Sequence, residues 1–179
     1  MSGTKGRKVL FLGGARSGKS RLAQMEAEKS GLSPIYLATG VITDPEMAQR
    51  VEKHRQARSH KWETIEVPYG LVGLKQSFAG KAVVLDCVTF LVSNLLLKEK
   101  EEAATREKIQ AELGFLLKKQ AKEGFSLFLV SNEVGEGVVP ESPLARSFRD
   151  LQGQINQWIA QRVDQVFLVV AGIPWKIKG

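Results

Sequence analysis

The sequence predicts a single α/β domain spanning residues 1–179, with a mostly parallel central sheet flanked by helices. Three observations predict it. Short apolar runs of strand length alternate with longer stretches of helix formers, the pattern of strand–helix units that feed a parallel sheet. The 179 residues, 43% of them hydrophobic, suffice for one sizeable core and leave no room for a second full one. Near the start, Gly13-Gly14-Ala15-Arg16-Ser17-Gly18-Lys19-Ser20 fits G-x-x-x-x-G-K-[ST] and stands between a strand-like run at 7–12 and strong helix formers at 21–29. Strand, glycine loop and helix in that order make a phosphate-binding loop, so the domain is expected to be of the P-loop NTPase type.

The chemistry of that loop is local. Gly13 and Gly18 let the backbone bend so that successive N–H groups, together with the following helix N-terminus, face one anion. Lys19 adds a point charge for the β- and γ-phosphates, and the Ser20 hydroxyl, one residue on, is placed to ligate a Mg²⁺ bridging the same groups. The expected ligand is a nucleoside triphosphate, GTP or ATP, with Mg²⁺.

Bulk properties narrow the class. No run approaches the ~18 apolar residues of a membrane span, and residues 1–6 lack the apolar core of a signal peptide, so the expectation is a cytoplasmic protein without stable membrane insertion. Cys87 is the only cysteine; within one chain this excludes a disulfide framework and a thiolate metal cluster, and its place after an apolar strand predicts a buried, inert thiol. The net charge of +7 suits either nucleic acid or polyphosphate substrates. The basic cluster at 50–61 has only Trp62 beside it, without the interleaved aromatics of a base-stacking face, so nucleic acid is not the expected partner.

After the first helix, residues 34–39 read as a second buried strand closed by Gly40. Ligands of open α/β sheets collect beyond the carboxyl ends of strands, which makes Thr39 and Gly40 candidate contacts by position. Asp44-Pro45-Glu46 is a helix start, with a capping aspartate, a proline suited to the first turn and an acid at the positive end of the dipole. The helix is predicted to run to about residue 58. Met47, Val51 and His54 recur at helical spacing, which puts His54 on or beside a packed face. A satisfied core histidine is one reading. Arg50 and Arg58, four residues to either side, support the other: adjacent cations keep an imidazole neutral and nucleophilic and also grip phosphate oxygens.

Residues 62–67 read as a third strand, with Thr64 and Glu66 on one face and Ile65 and Val67 on the other. Residues 81–86 form a β-branched apolar strand ending in Asp86, the usual form of the second Mg²⁺ element in phosphate-loop proteins. A buried helix over 89–97, a solvated charged connection over 98–104 and a helix with the stripe Ile109, Leu113, Leu116, Leu117, ended by Gly124, carry no predicted chemistry. A strand over 125–130 leads into the long loop 131–140, and loops of that length at a strand's carboxyl end tend to be functional. An amphipathic helix over 144–163, a strand over 165–170 and an antiparallel edge strand over 172–177 complete the chain.

Taken together, the glycine loop, Asp44-Pro45-Glu46-Met47, Arg50 with His54, Asn132-Glu133-Val134-Gly135 and Val139-Pro140-Glu141 resemble one family over essentially the whole chain. It is the bifunctional adenosylcobinamide kinase/adenosylcobinamide-phosphate guanylyltransferase family of cobalamin biosynthesis. The resemblance implies phosphorylation of the aminopropanol hydroxyl of adenosylcobinamide, then transfer of GMP from GTP to adenosylcobinamide phosphate with release of pyrophosphate. It implies a covalent guanylyl intermediate on His54, with Lys19 as the other catalytic residue. Nucleotide contacts would fall on Gly13 to Ser20, Thr39, Gly40, Arg55, Gln56, Ala57, Arg58, Glu66 and Asp86, and the metal on Ser20 and Asp86. Members often carry glutamate where this chain has Asp86; the shorter acid suits a metal role and makes a direct nucleotide contact less certain. A homotrimer is also implied. A single-activity phosphate-loop kinase for a small metabolite would need Lys19, Ser20 and Asp86 but leave His54 without a task, and a nucleotide-driven nucleic-acid-binding module has only the basic balance in its favour.

Overall fold

The computed structural model describes residues 6–56, 58–99 and 101–179; the side chains of Met47, Arg50 and His54 are not described. The chain runs β1 (Lys8–Gly13), α1 (Lys19–Lys29), β2 (Ser33–Ala38), α2 (Pro45–Gln56), β3 (Glu63–Glu66), β4 (Lys81–Asp86), α3 (Val88–Glu99), α4 (Glu102–Glu123), β5 (Ser126–Asn132), α5 (Pro143–Ala160), β6 (Gln165–Val170) and β7 (Ile173–Lys178).

The strands form one sheet in the order β3-β2-β4-β5-β1-β6-β7, parallel throughout except for antiparallel β7. Parallel strands are covered on both faces, which is why β1, β4 and β5 are continuous apolar runs. Val9, Phe11, Ala82 and Val84 face Ala23 and Ala27 of α1, whereas Leu10, Leu12, Val83 and Leu85 face the layer built from α3, α4 and α5. The small alanines let α1 lie close to the sheet. The parallel pairing also brings the carboxyl ends of β1, β2, β4 and β5 to one end of the sheet, where the site lies.

Three expectations change. The connection read at 98–104 shrinks, since α3 continues to Glu99 and α4 begins at Glu102; its glutamates and alanines are good helix formers, and Thr105 turns its hydroxyl back onto the Glu101 carbonyl at 2.5 Å. β5 continues through Ser131 and Asn132, so the loop after it starts at Glu133. Finally, α2 contributes no described residue to either core cluster. Residues 67–80, which show no periodicity, place Leu71 and Phe78 in the core with no exposure. Glu112 accepts the Leu71 and Val72 N–H groups, and Glu123 accepts that of Phe78. Carboxylates of α4 thus satisfy the backbone of an irregular segment.

Candidate active site

The phosphate loop joins the tip of β1 to α1 and is pressed against its neighbours. A Cβ on Gly13 would lie 2.4 Å from the Val169 carbonyl oxygen, and one on Gly18, whose φ is +94°, 3.3 Å from Gly172 Cα; glycine is required at both. Gly172 N–H donates to the Ser17 carbonyl (2.8 Å) and Glu133 N–H to that of Gly13 (3.0 Å). Gly14, Ala15 and Arg16 are exposed, leaving their face of the loop open to an anion. Lys19 begins α1 and folds across the loop, its Nζ donating to the Gly14 carbonyl at 2.8 Å while the residue is only 6% exposed. Burial lowers its pKa; Cys87 and Asp86 act the other way. Burial also pushes the Cys87 thiol up to about 12, so at neutral pH it is uncharged.

Beside the loop opens a cleft of about 490 Å³, a volume suited to one nucleotide-sized ligand. Lys19, Ser20, Asp86 and Asn132 line its phosphate-loop end; Val51 and Arg55 of α2 with Arg58 make one wall, and Thr64 and Glu66 of β3 another. Tyr36, from within β2, donates its hydroxyl to Asp86 Oδ2 at 2.9 Å, and burial pushes its own pKa far above the ordinary value. The Arg58 guanidinium lies 3.8 Å from the Tyr36 ring centroid, with Nη2 donating to Thr64 Oγ1 at 3.4 Å. A desolvated stack of this kind contributes about 1–2 kcal/mol and fixes the guanidinium plane. Its Nη1 is buried without a hydrogen-bond partner among the described residues, a donor that an anionic or carbonyl ligand would satisfy. Farther out, Arg55 Nη2 lies 3.8 Å from Glu66 Oε1 across the exposed rim.

Of the residues expected from sequence, Lys19, Ser20, Gly40, Arg55, Arg58, Glu66 and Asp86 line this cleft, and Gly13 to Gly18 form the adjoining loop. Thr39 does not. Its Oγ1 accepts from Cys87 N–H and donates to the Cys87 carbonyl, its N–H bonds the Asp86 carbonyl, and its own carbonyl accepts from Asn94. With no exposure and its hydroxyl, N–H and carbonyl each hydrogen-bonded within the chain, Thr39 ties the end of β2 to the end of β4. Gln56 is exposed and donates to Glu52 Oε1 at 2.8 Å, away from the cleft lining. Ala57 lies outside the described residues. His54 stands on α2 between Val51 and Arg55, which both line the cleft; its side chain is not described.

Not legible in the sequence are the cleft positions of Tyr36 and Phe90 and the way Asn132 is held. An aromatic inside an apolar strand reads as core, and nothing local reveals that the Tyr36 hydroxyl reaches a strand-end carboxylate 50 residues away. Asn132 ends β5 as Asp86 ends β4, a polar residue closing a buried strand, and that was the available signal. Behind it lies a buried polar cluster. Asn156 donates to the Asn132 carbonyl (3.0 Å) and accepts from Ser131 Oγ (2.7 Å) and Gln152 (2.9 Å), while Thr89 accepts the Asn132 N–H (2.8 Å). Helices α3 and α5 thereby hold the strand end that abuts Gly13.

The arrangement presents an anion-binding loop, one buried lysine and two arginines to a single concavity. It suits a ligand with several phosphates. Ser20 and Asp86 supply a hydroxyl and a carboxylate at its phosphate-loop end, an oxygen-only pair that fits Mg²⁺, which takes its remaining ligands from water and phosphate.

The chain matches the family "Cobinamide kinase / cobinamide phosphate guanyltransferase" over residues 9–177. It is 43% identical over 180 residues to the bifunctional adenosylcobalamin biosynthesis protein CobU of Escherichia coli (strain K12), covering 95% of this chain and 99% of that one. The bifunctional adenosylcobalamin biosynthesis protein CobP of Pseudomonas aeruginosa is 41% identical over 172 residues, covering 95% and 96%. CobU of Salmonella typhimurium is 40% identical over 182 residues, covering 95% and 99%. A solved structure from Pyrococcus horikoshii OT3 superposes with a TM-score of 0.56 at 12% identity, covering 99% of this chain and 88% of that one, a likeness of fold alone.

Proposed function

The chain belongs to the cobinamide kinase/cobinamide phosphate guanyltransferase family, and from that premise we propose how a single cleft serves both reactions. The protein is a bifunctional enzyme, a kinase and a guanylyltransferase of cobalamin biosynthesis. In the kinase reaction the aminopropanol hydroxyl of adenosylcobinamide attacks the γ-phosphorus of ATP or GTP held on Gly13 to Ser20. The nucleoside diphosphate leaves, and adenosylcobinamide phosphate is formed. Lys19 and the loop N–H groups stabilise charge on the transferring phosphoryl oxygens, the largest contribution a protein makes to such a transfer.

In the second reaction the neutral His54 imidazole attacks the α-phosphorus of GTP. A P–N bond forms as the bond to the β-phosphate oxygen breaks, and pyrophosphate leaves. The phosphate of adenosylcobinamide phosphate then attacks the same phosphorus, regenerating the imidazole and giving adenosylcobinamide-GDP. One hard displacement becomes two easier ones. Ser20 and Asp86 would hold a Mg²⁺, which when bound neutralises charge on the β- and γ-phosphate oxygens. Arg55, Arg58 and Glu66 bind the part of the nucleotide that extends away from the loop. The assembly we propose is a homotrimer, in the cytoplasm; among the described residues no helix is long and apolar enough to cross a membrane.

One observation carries this reading: Lys19 and Ser20 line the same cleft as Val51 and Arg55, the helix residues that flank His54. A triphosphate seated on the loop therefore extends toward α2. The test is incubation with GTP labelled on the α-phosphate, followed by denaturing electrophoresis. Label should stay with the protein, survive alkali and be released by acid, as a phosphoramidate is. No retained label, or label stable to acid, would overturn the histidine intermediate.

A further inference from the structure

The cleft opens onto an apolar ledge, and we propose that this ledge, formed by Ile42, Tyr69 and Phe90, seats the corrin macrocycle of the cobinamide substrate. The inference rests on the family reading above and locates the second substrate. Both substrates must meet in the cleft, since groups pass from one to the other. A cleft of about 490 Å³ takes a nucleotide and the slender aminopropanol arm of cobinamide but has no room for the macrocycle as well, which is larger than the nucleotide itself. The ring must lie at the mouth.

The mouth has one charged side, Arg55 with Glu66, and one apolar side. On the apolar side Ile42, Tyr69 and Phe90 line the cleft yet remain 57%, 49% and 41% exposed. They come from the segment after β2, the segment after β3 and the first turn of α3. Asn94, one helical turn beyond Phe90, donates to the carbonyls of Thr39 and Pro68, both at 2.8 Å, and so pins the two segments that carry Ile42 and Tyr69 to the helix that carries Phe90. The ledge is therefore built before a ligand arrives. Two aromatic rings and an aliphatic side chain converging at the rim of a polar cleft form a patch of the kind a ligand covers. Their chemistry suits the broad face of a conjugated macrocycle. The Lys98 ammonium, 5.6 Å from the Tyr69 ring centroid, stands at its edge as a donor for the carboxamide arms that fringe a corrin.

The experiment compares the full-length parent with the Tyr69→Ser/Phe90→Ser double variant. Kinase turnover is measured with adenosylcobinamide varied and then with GTP varied, and assembly size by sedimentation. Losing two apolar contacts should raise KM for adenosylcobinamide by about tenfold or more relative to any change in KM for GTP, with kcat at saturation largely retained. Equal changes in the two KM values, or an unmoved KM for adenosylcobinamide, would overturn the ledge while leaving the family reading intact. A smaller assembly with an unmoved KM would also overturn it, by showing that the patch packs against a second copy. A parent that does not phosphorylate adenosylcobinamide would overturn the reading and the ledge together.

Discussion

On one side of the cleft, the phosphate loop is tied to two neighbours, the residue after β5 through Glu133 and the β6–β7 turn through Gly172, and is braced internally by Lys19 on Gly14. On the other, α2 contributes no described residue to either core cluster and meets the cleft through half-buried Val51 and exposed Arg55. The first region gains its geometry from the same bonds that hold the sheet together. The second is a helix laid over the site, whose sequence is free to serve a ligand because the fold asks little of it. Phosphoryl transfer depends on fixed positions, and the loop has them. A group that must accept a guanylyl unit and pass it on is better carried where approach and departure do not disturb the core.

This contrast predicts that substitutions on α2 separate activity from stability and that those around the loop do not. The largest effect is expected for His54→Ala, which should abolish the labelled adduct and guanylyl transfer altogether while kinase turnover persists and the melting temperature stays at the parental value. Persistent labelling from α-labelled GTP would remove the nucleophile from His54. Loss of both activities with nucleotide binding retained would break the division of labour.

Next is Lys19→Ala, which should cost the kinase about 10²–10³-fold in kcat, the amount lost when one preorganised group facing developing charge is removed. Undiminished turnover would overturn the loop assignment. Asp86→Asn comes third: the amide keeps an acceptor for the Tyr36 hydroxyl, so the fold survives, but activity should require several-fold more Mg²⁺. A Mg²⁺ titration identical to the parent's would deny Asp86 a metal role.

Asn156→Leu tests the loop side from behind. It strips the Asn132 carbonyl and Ser131 Oγ of a buried partner, and orphaned buried groups cost about 1–3 kcal/mol, or roughly 2–10 °C in a domain of this size. Both activities should fall with it, because the strand end that abuts Gly13 is no longer held. A melting temperature lowered without loss of either activity would show that the cluster serves the fold alone.

How much of the fold and the site was legible in the sequence follows the same divide. Gly13 to Ser20 was legible because an anion-binding turn needs its glycines and lysine at fixed, local spacing. Asp86 was legible because a carboxylate closing a β-branched strand has few structural reasons to be there. The sheet followed from apolar runs buried on both faces, and the antiparallel edge at β7 was read from the turn at Gly172. What was not legible depended on contacts distant in sequence. Thr39 stands where a ligand contact belongs, yet its hydroxyl is spent on Cys87, 48 residues on. The Met47–Val51–His54 period reads as a packed face, but a helix this polar has too little apolar surface to compete for a place in the core, and its described residues Val51 and Arg55 line the cleft instead. Phe90 looked like one more apolar residue of a buried helix; only the assembled neighbours show its ring at the mouth of the site.

The smallest expected effect is the sharpest test of the contrast, because it must be seen in one measurement and be absent from another. Arg55 and Glu66 approach to 3.8 Å with side chains 55% and 76% exposed. A screened pair of this kind contributes between nothing and about 1 kcal/mol, so Arg55→Ala should leave the melting temperature within about 4 °C of the parent. Its guanidinium nevertheless lines the cleft one residue beyond His54, where a triphosphate extending from the loop would meet it. Removing a charged donor that binds ground state and transition state alike raises KM without lowering kcat. Arg55→Ala should therefore raise KM for GTP several-fold in the guanylylation reaction, and Arg55→Lys, which keeps the charge, should recover part of it. A fall in stability with KM unmoved would mean that α2 is structural after all. A fall in kcat alone would move Arg55 from binding the nucleotide to the reacting phosphorus.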